Sequence, residues 1–238
     1  MHFHLPKPLH GWRAFVGEVG IIVVGVLIAL GAEQLVEDWQ WQQKVAHTTE
    51  EIDGELHRNA ASAYAWLTVA PCVEGQLKAI DVALAAARHS GRVQPTAAMT
   101  PPLERFSEDA WLNARALQVT DHIPREKLTQ YSQMFYLPRR LAESEVELHK
   151  EAAELRSLSP GISPISTDEV GSYQRQAGRV HELLNRVELA ETLLLRQLAS
   201  HGIELSQEEM SSILKSNGSW PAECVAPPDA KRQFAPGS

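Results

Sequence analysis

Residues Phe15 to Val36 read FVGEVGIIVVGVLIALGAEQLV, and the fourteen from Val19 to Ala32 carry no charge. As a helix, these 22 residues span roughly 33 Å, close to the hydrocarbon thickness of a bilayer. The polar exceptions Glu18, Glu33 and Gln34 stand near the ends, where a polar head can reach the interface. Trp12 lies before the stretch, with Trp39 and Trp41 after it. About 40 Å of helix separates Trp12 from Trp39, the distance between the two headgroup layers where tryptophan gathers. The spacing predicts one transmembrane helix over 15–36, with Trp12, Trp39 and Trp41 as membrane-interface anchors.

The flanks predict an orientation. Lys7 and Arg13 precede the span, whereas Glu33, Glu37 and Asp38 come before the next base, Lys44. Positive flanks stay in the cytoplasm, so the tail 1–14 is expected inside and the remainder outside, in the periplasm of a bacterium. Beyond Ala32 there are 20 basic and 29 acidic residues, a net of −9 that suits a translocated acidic domain. A cleaved signal peptide is the rival reading, with Ala29-Leu30-Gly31 as a small-x-small site. The run into Leu35, Val36 and Trp39 without a turn-forming break favours the uncleaved anchor.

The whole chain has 238 residues, a formal net charge of −8 and 44% hydrophobic residues. That composition argues against wholesale disorder, and 22 Lys and Arg give no dense basic face for nucleic acid. Its length allows one core-forming domain plus attachments.

The motif from Phe15 to Leu30, F-V-G-E-V-G-I-I-V-V-G-V-L-I-A-L, is followed by Glu37 and Trp39. It resembles the opening of a family of uncharacterised bacterial single-pass membrane proteins, in which a Phe and a Glu precede an I-V-x-G-V-L-I-A-L helix. Asp109 to Tyr136, with Trp111 and the pair Phe135-Tyr136, is similar to that family's later helical region. The resemblance implies membrane anchoring and a helical outer domain, and no activity.

Past the anchor the periodicity is helical. Val170, Tyr173, Ala177, Val180, Leu184, Val187, Glu191, Leu194 and Leu198 step by three and four, apolar except for Glu191. Ser166 with Glu169 forms a capping box at the start of that helix, and Gly202 fits its end. An earlier helix from Arg125 to Leu158 presents Leu128, Tyr131, Phe135, Leu141, Leu148, Ala152 and Leu155, with Pro138 expected to kink or split it. Trp39–Leu67 is expected to prolong the membrane helix as a stalk, with Ile52 and Leu56 inward. Further helices are expected over Cys72–His89, ending at Ser90-Gly91, over Leu103–Ala116, and, capped by Ser206 and Glu209, to about Ser216. The fold class is therefore all-α: one transmembrane helix continuing into an antiparallel periplasmic helical bundle over 37–216, with a Pro-rich tail over 217–238.

Cys72 and Cys224 both fall on the expected periplasmic side, where an even count suggests a disulfide. Catalytic spacing is not found. His181-Glu182 begins a zincin-like pattern, but residue 185 is Asn where a second imidazole is needed. Glu145 and His149 stand one helical turn apart, and His2, His4 and His10 cluster in the tail; surface faces produce such groupings readily. No metal, cofactor or enzyme activity is expected.

Glu18 is the residue singled out, because a carboxylate inside an apolar span costs free energy unless it finds water or a partner. It shares a helix face with Ile22, Gly25, Ala29 and Glu33, and Gly25 and Ala29 form a small-xxx-small pair that admits another helix. The expected function is that of a non-catalytic scaffold or accessory subunit. Its partners would be the lipid bilayer and either a second copy or another membrane protein. A ligand-sensing bundle that signals through a membrane partner is the alternative.

Overall fold

The structure is a computed structural model that describes residues 12–93, 99–158 and 165–217. The tail with Lys7, His2, His4 and His10, and the C-terminal tail with Cys224, lie outside the described residues. The described residues are all-helical, with no strand among them.

One helix, α1, runs unbroken from Trp12 to Ser90, 79 residues or about 118 Å. It changes character along its length. Residues 15–36 are exposed on every face and apolar but for Glu18, Glu33 and Gln34 near the ends, long and apolar enough to cross a membrane. Burial begins on one side with Ile52 and Leu56. From Ala63 to Ala70 every residue is buried, so this part of α1 is enclosed on all sides, as its sequence AYAWLTVA requires. Beyond it Val73, Leu77, Ile80, Leu84 and Ala87 restore a single inward stripe.

The separate helix expected over Cys72–His89 is thus corrected: it is the far end of α1. Pro71 is exposed and lies within the helix. A proline there removes one hydrogen bond and favours a kink. The core residues packed on both sides of it hold the rod together. Gly91, at φ +64°, ends α1 in the left-handed conformation that glycine adopts without strain.

The remaining helices are α2 (Asp109–Ala116), α3 (Arg125–Met134), α4 (Tyr136–Leu155), α5 (Thr167–Ser200) and α6 (Gln207–Ser216), with 3₁₀ turns at Val119–His122 and Arg156–Leu158. Pro138 splits the Arg125–Leu158 segment, falling in the first turn of α4 where its missing N–H costs little. The stripe expected there is buried except for half-buried Leu128. Both capping boxes form: Ser166 and Ser206 each accept the N–H three residues on and donate to the carboxylate of Glu169 or Glu209.

Helix α5 is the hub, packing against both α1 and α4. Its stripe is buried as expected, Tyr173 only half so, and is widened by Leu183 and Leu195. His181 lies partly exposed beside the buried Val180, with its Nε2 2.7 Å from Asp81 of α1. Trp111 of α2 stacks on Phe135 with centroids 5.9 Å apart, and Tyr131 donates to Asp53 at 2.7 Å.

The helix expected over Leu103–Ala116 is also corrected, because only Asp109–Ala116 is helical. Residues 99–108 form an irregular strap with no helix or strand. Pro101 and Pro102 supply no N–H for a helix and bias the residues before them toward extended backbone. The strap is fastened to α1 at Asn59, Ser62 and Gln76, and to α4 at Glu145 and His149.

Candidate functional site

Two regions carry polar groups in settings that need explanation: the apolar arm of α1 and the strap. On the arm, Ile22 and its neighbours are exposed, and a side chain built at Gly25 would meet nothing within 4 Å. The face of Glu18, Ile22, Gly25, Ala29 and Glu33 is therefore uncovered by the described parts of this chain. Trp12 and Trp39 are exposed with it. Trp41 differs, because its ring stacks on His122 at 3.8 Å while the Lys44 ammonium sits 4.6 Å from its centroid. Trp41 therefore fastens the turn after α2 to α1 just above the apolar arm.

The strap poses a backbone problem. A segment outside both helix and sheet has no ladder for its N–H and C=O groups, and burying them unpaired is costly. Side chains from α1 and α4 take the place of a ladder. Asn59 brackets Ser107, donating to its carbonyl at 2.8 Å and accepting its N–H at 3.0 Å. Gln76 accepts the N–H of Thr100, Ser62 donates to the carbonyl of Arg105, and His149 Nε2 lies 2.9 Å from the carbonyl of Pro102. Buried Glu55 accepts from the Ser107 hydroxyl at 2.5 Å and from the N–H groups of Ala110 and Trp111, capping α2 from across the core. Outside, Arg139 makes a two-pronged pair with Glu108.

Three further carboxyl groups meet where the strap passes α4 and α5. Glu145 of α4 is buried and accepts the Glu104 N–H at 3.1 Å through one oxygen, while its other oxygen has no partner. Burial pushes its pKa up to about 8; the Glu104 N–H opposes that rise and the Glu104 carboxylate adds to it. Burial also raises Glu104. Glu191 of α5 is fully buried with neither oxygen partnered. Burial drives its pKa well above the ordinary carboxylate range, and the charges of Glu145 and Glu104 push the same way. Glu191 is the one polar position of the α5 stripe, so the sequence marked it as odd. Glu55, Asn59 and Glu104 left no such signal, because their partners are some 40 or more residues away.

The other candidates are placed as follows. Glu145 and His149, read as a conceivable metal pair, each serve the strap, and no group of three or more metal-ligating side chains occurs among the described residues. Cys72 is half-buried on α1, and Cys224 lies outside the described residues. Surface hollows are open to solvent; one between α1, α3 and the α5–α6 turn is lined by Asp53, His57, Lys127, Tyr131, His201 and Glu204. Comparison with protein-family models, curated proteins and solved structures finds no match to this chain.

Proposed function

We infer that the chain is a bitopic protein of a bacterial inner membrane, with a cytoplasmic amino-terminal tail and an antiparallel helical bundle in the periplasm. It acts as a non-catalytic scaffold or accessory subunit through contacts of its membrane helix and its outer surface. The observation that carries this reading is the continuity of α1: the helix that offers an uncovered apolar arm at 15–36 is also the enclosed central helix at 63–70. A contact made in the membrane therefore bears on the core of the outer part with no joint between them. The small-residue face at Gly25 and Ala29, with Glu18 at one end, is the surface on which a second transmembrane helix would pack. A Cys72–Cys224 disulfide, tying the tail to α1, belongs to the same proposal and would suit an oxidising compartment.

The test is the native mass of the complex extracted gently from its own membranes at natural expression. A second protein at fixed stoichiometry, or a homo-oligomer, is expected, and Gly25→Leu or Glu18→Gln should weaken it about tenfold, the worth of one good helix–helix contact. A monomer at full chain mass would overturn the helix-contact reading. A chain lighter by about 30 residues would show a cleaved signal peptide. The mass of the oxidised chain, 2 Da below the reduced one, would verify the disulfide.

A further inference from the structure

The strap is held between α1 and α4 at three places of different chemistry. One end is gripped by the amide of Gln76, and the other by Asn59 and Glu55, whose oxygens are all engaged. The middle is held by Glu145, by Ser62 at the Arg105 carbonyl and by His149 at the Pro102 carbonyl, and around Glu145 the groups do not balance. Glu104, Glu145 and Glu191 come together from the strap, α4 and α5, and three of the oxygens of Glu145 and Glu191 have no partner. The charges that bear on Glu191 are both acidic, Glu145 and Glu104. Opposite, α1 has no Asp, Glu, Lys, Arg or His from Asn59 to Val73, and Tyr64 is its titratable group there. Glu188 of α5 feels Glu74 of α1, again an acid. On the α3 side Tyr131 is engaged with Asp53, and on the strap Arg105 is exposed. Two anions cannot be accommodated side by side in such a place without a cation or water.

We propose that the strap is a proton-gated closure, seated between α1 and α4 while Glu145 and Glu191 hold their protons and released at its middle when they ionise. The strap is the part that yields. Helices α1, α4 and α5 share a continuous core, whereas the strap has no ladder of its own; the Glu104 N–H favours an ionised Glu145, but the larger effect of burial opposes it, and moving the strap aside lets water reach the carboxylate. Its release at the middle leaves Glu145 and His149 facing an open groove. The proposal concerns the helical body alone and stands whether or not the membrane reading does.

Amide hydrogen exchange of the full-length protein in detergent, expressed as protection factors to remove the intrinsic pH dependence, tests it. Between about pH 6 and pH 9 the protection of Leu103, Glu104 and Arg105 should fall about tenfold or more relative to α5, as follows from moving a group past its pKa by one unit or more. In Glu191→Gln and Glu145→Gln the fall should shrink below about threefold. Equal protection at both pH values in the wild type would overturn the proposal, as would an undiminished fall in both variants. The wild-type comparison decides the matter even if a variant does not fold.

Discussion

Glu55 and Glu191 are carboxyl groups buried to nearly the same degree in one core, and their surroundings make them opposites. Glu55 receives a hydroxyl and two backbone N–H groups, and Glu191 receives nothing. Removing Glu55 leaves the N-terminus of α2 and the Ser107 hydroxyl without their acceptor. Glu55→Ala should destabilise the fold by about 3 kcal/mol in denaturant melts. Glu191→Leu removes an unpaired buried polar group at similar volume and should stabilise by about 1–3 kcal/mol near pH 8. The same contrast sets the pH dependence. Glu145 and Glu191 keep protons in the folded state that the unfolded chain releases above the ordinary carboxylate range. The stability they confer is complete below that range and declines as pH rises toward about 8, the value for Glu145. The decline should approach about 1.4 kcal/mol per pH unit for each group. Glu209 works the other way. The Ser206 hydroxyl, its N–H and His57 hold Glu209 down to about 2, so its contribution is lost as pH falls toward that value. Melts across the pH range should therefore be most stable on the mildly acidic side and flatter at high pH in Glu191→Leu. In the sequence Glu191 was visible as the one break in an apolar stripe, whereas Glu55 sat among exposed acids with no periodic clue to its burial.

Among the elements, those with local signals were legible and those fixed by distant partners were not. Ser166 with Glu169 and Ser206 with Glu209 announced two helix starts, and Gly202 an end; the structure has all three, with Gly202 at φ +81°. Ser166→Ala should cost about 1 kcal/mol in the same melts, because the first turn of α5 loses its cap. Pro138 was legible as a break for the same local reason. The strap was not. Leu103 and Phe106 are spaced as on a helix, and the facts that oppose a helix there are the side chains of Asn59, Ser62 and Gln76 on another element. Pro71 leaves α1 unbroken. A proline in isolation argues for a helix end, but the enclosed stretch Ala63–Ala70 and the stripe after it outweigh one lost hydrogen bond.

At the scale of the whole molecule, α1 is both the apolar arm and the central post of the helical body. The all-helical class and the long apolar N-terminal helix followed from composition and period, because a fourteen-residue uncharged run and a 3-4 stripe are properties of the sequence itself. How the pieces meet depends on pairings such as Asp81 with His181 and Trp41 with His122, which no local pattern encodes. If the membrane reading holds, protease added outside intact inner-membrane vesicles of cytoplasmic orientation will leave residues 37–217 intact and the tail accessible. Digestion of the helical body in those vesicles would reverse the assigned orientation.

The unjointed length of α1 also makes it a lever. From Val36 to Ser90 the rod measures about 81 Å, so a tilt of about 10° at the membrane end carries Ser90 sideways by roughly 14 Å. Neither Gly nor Pro interrupts it between Val36 and Asp53 to absorb the angle. With the apolar arm seated in a bilayer, as proposed, a small reorientation there would be read far from the surface as a displacement larger than the width of a helix.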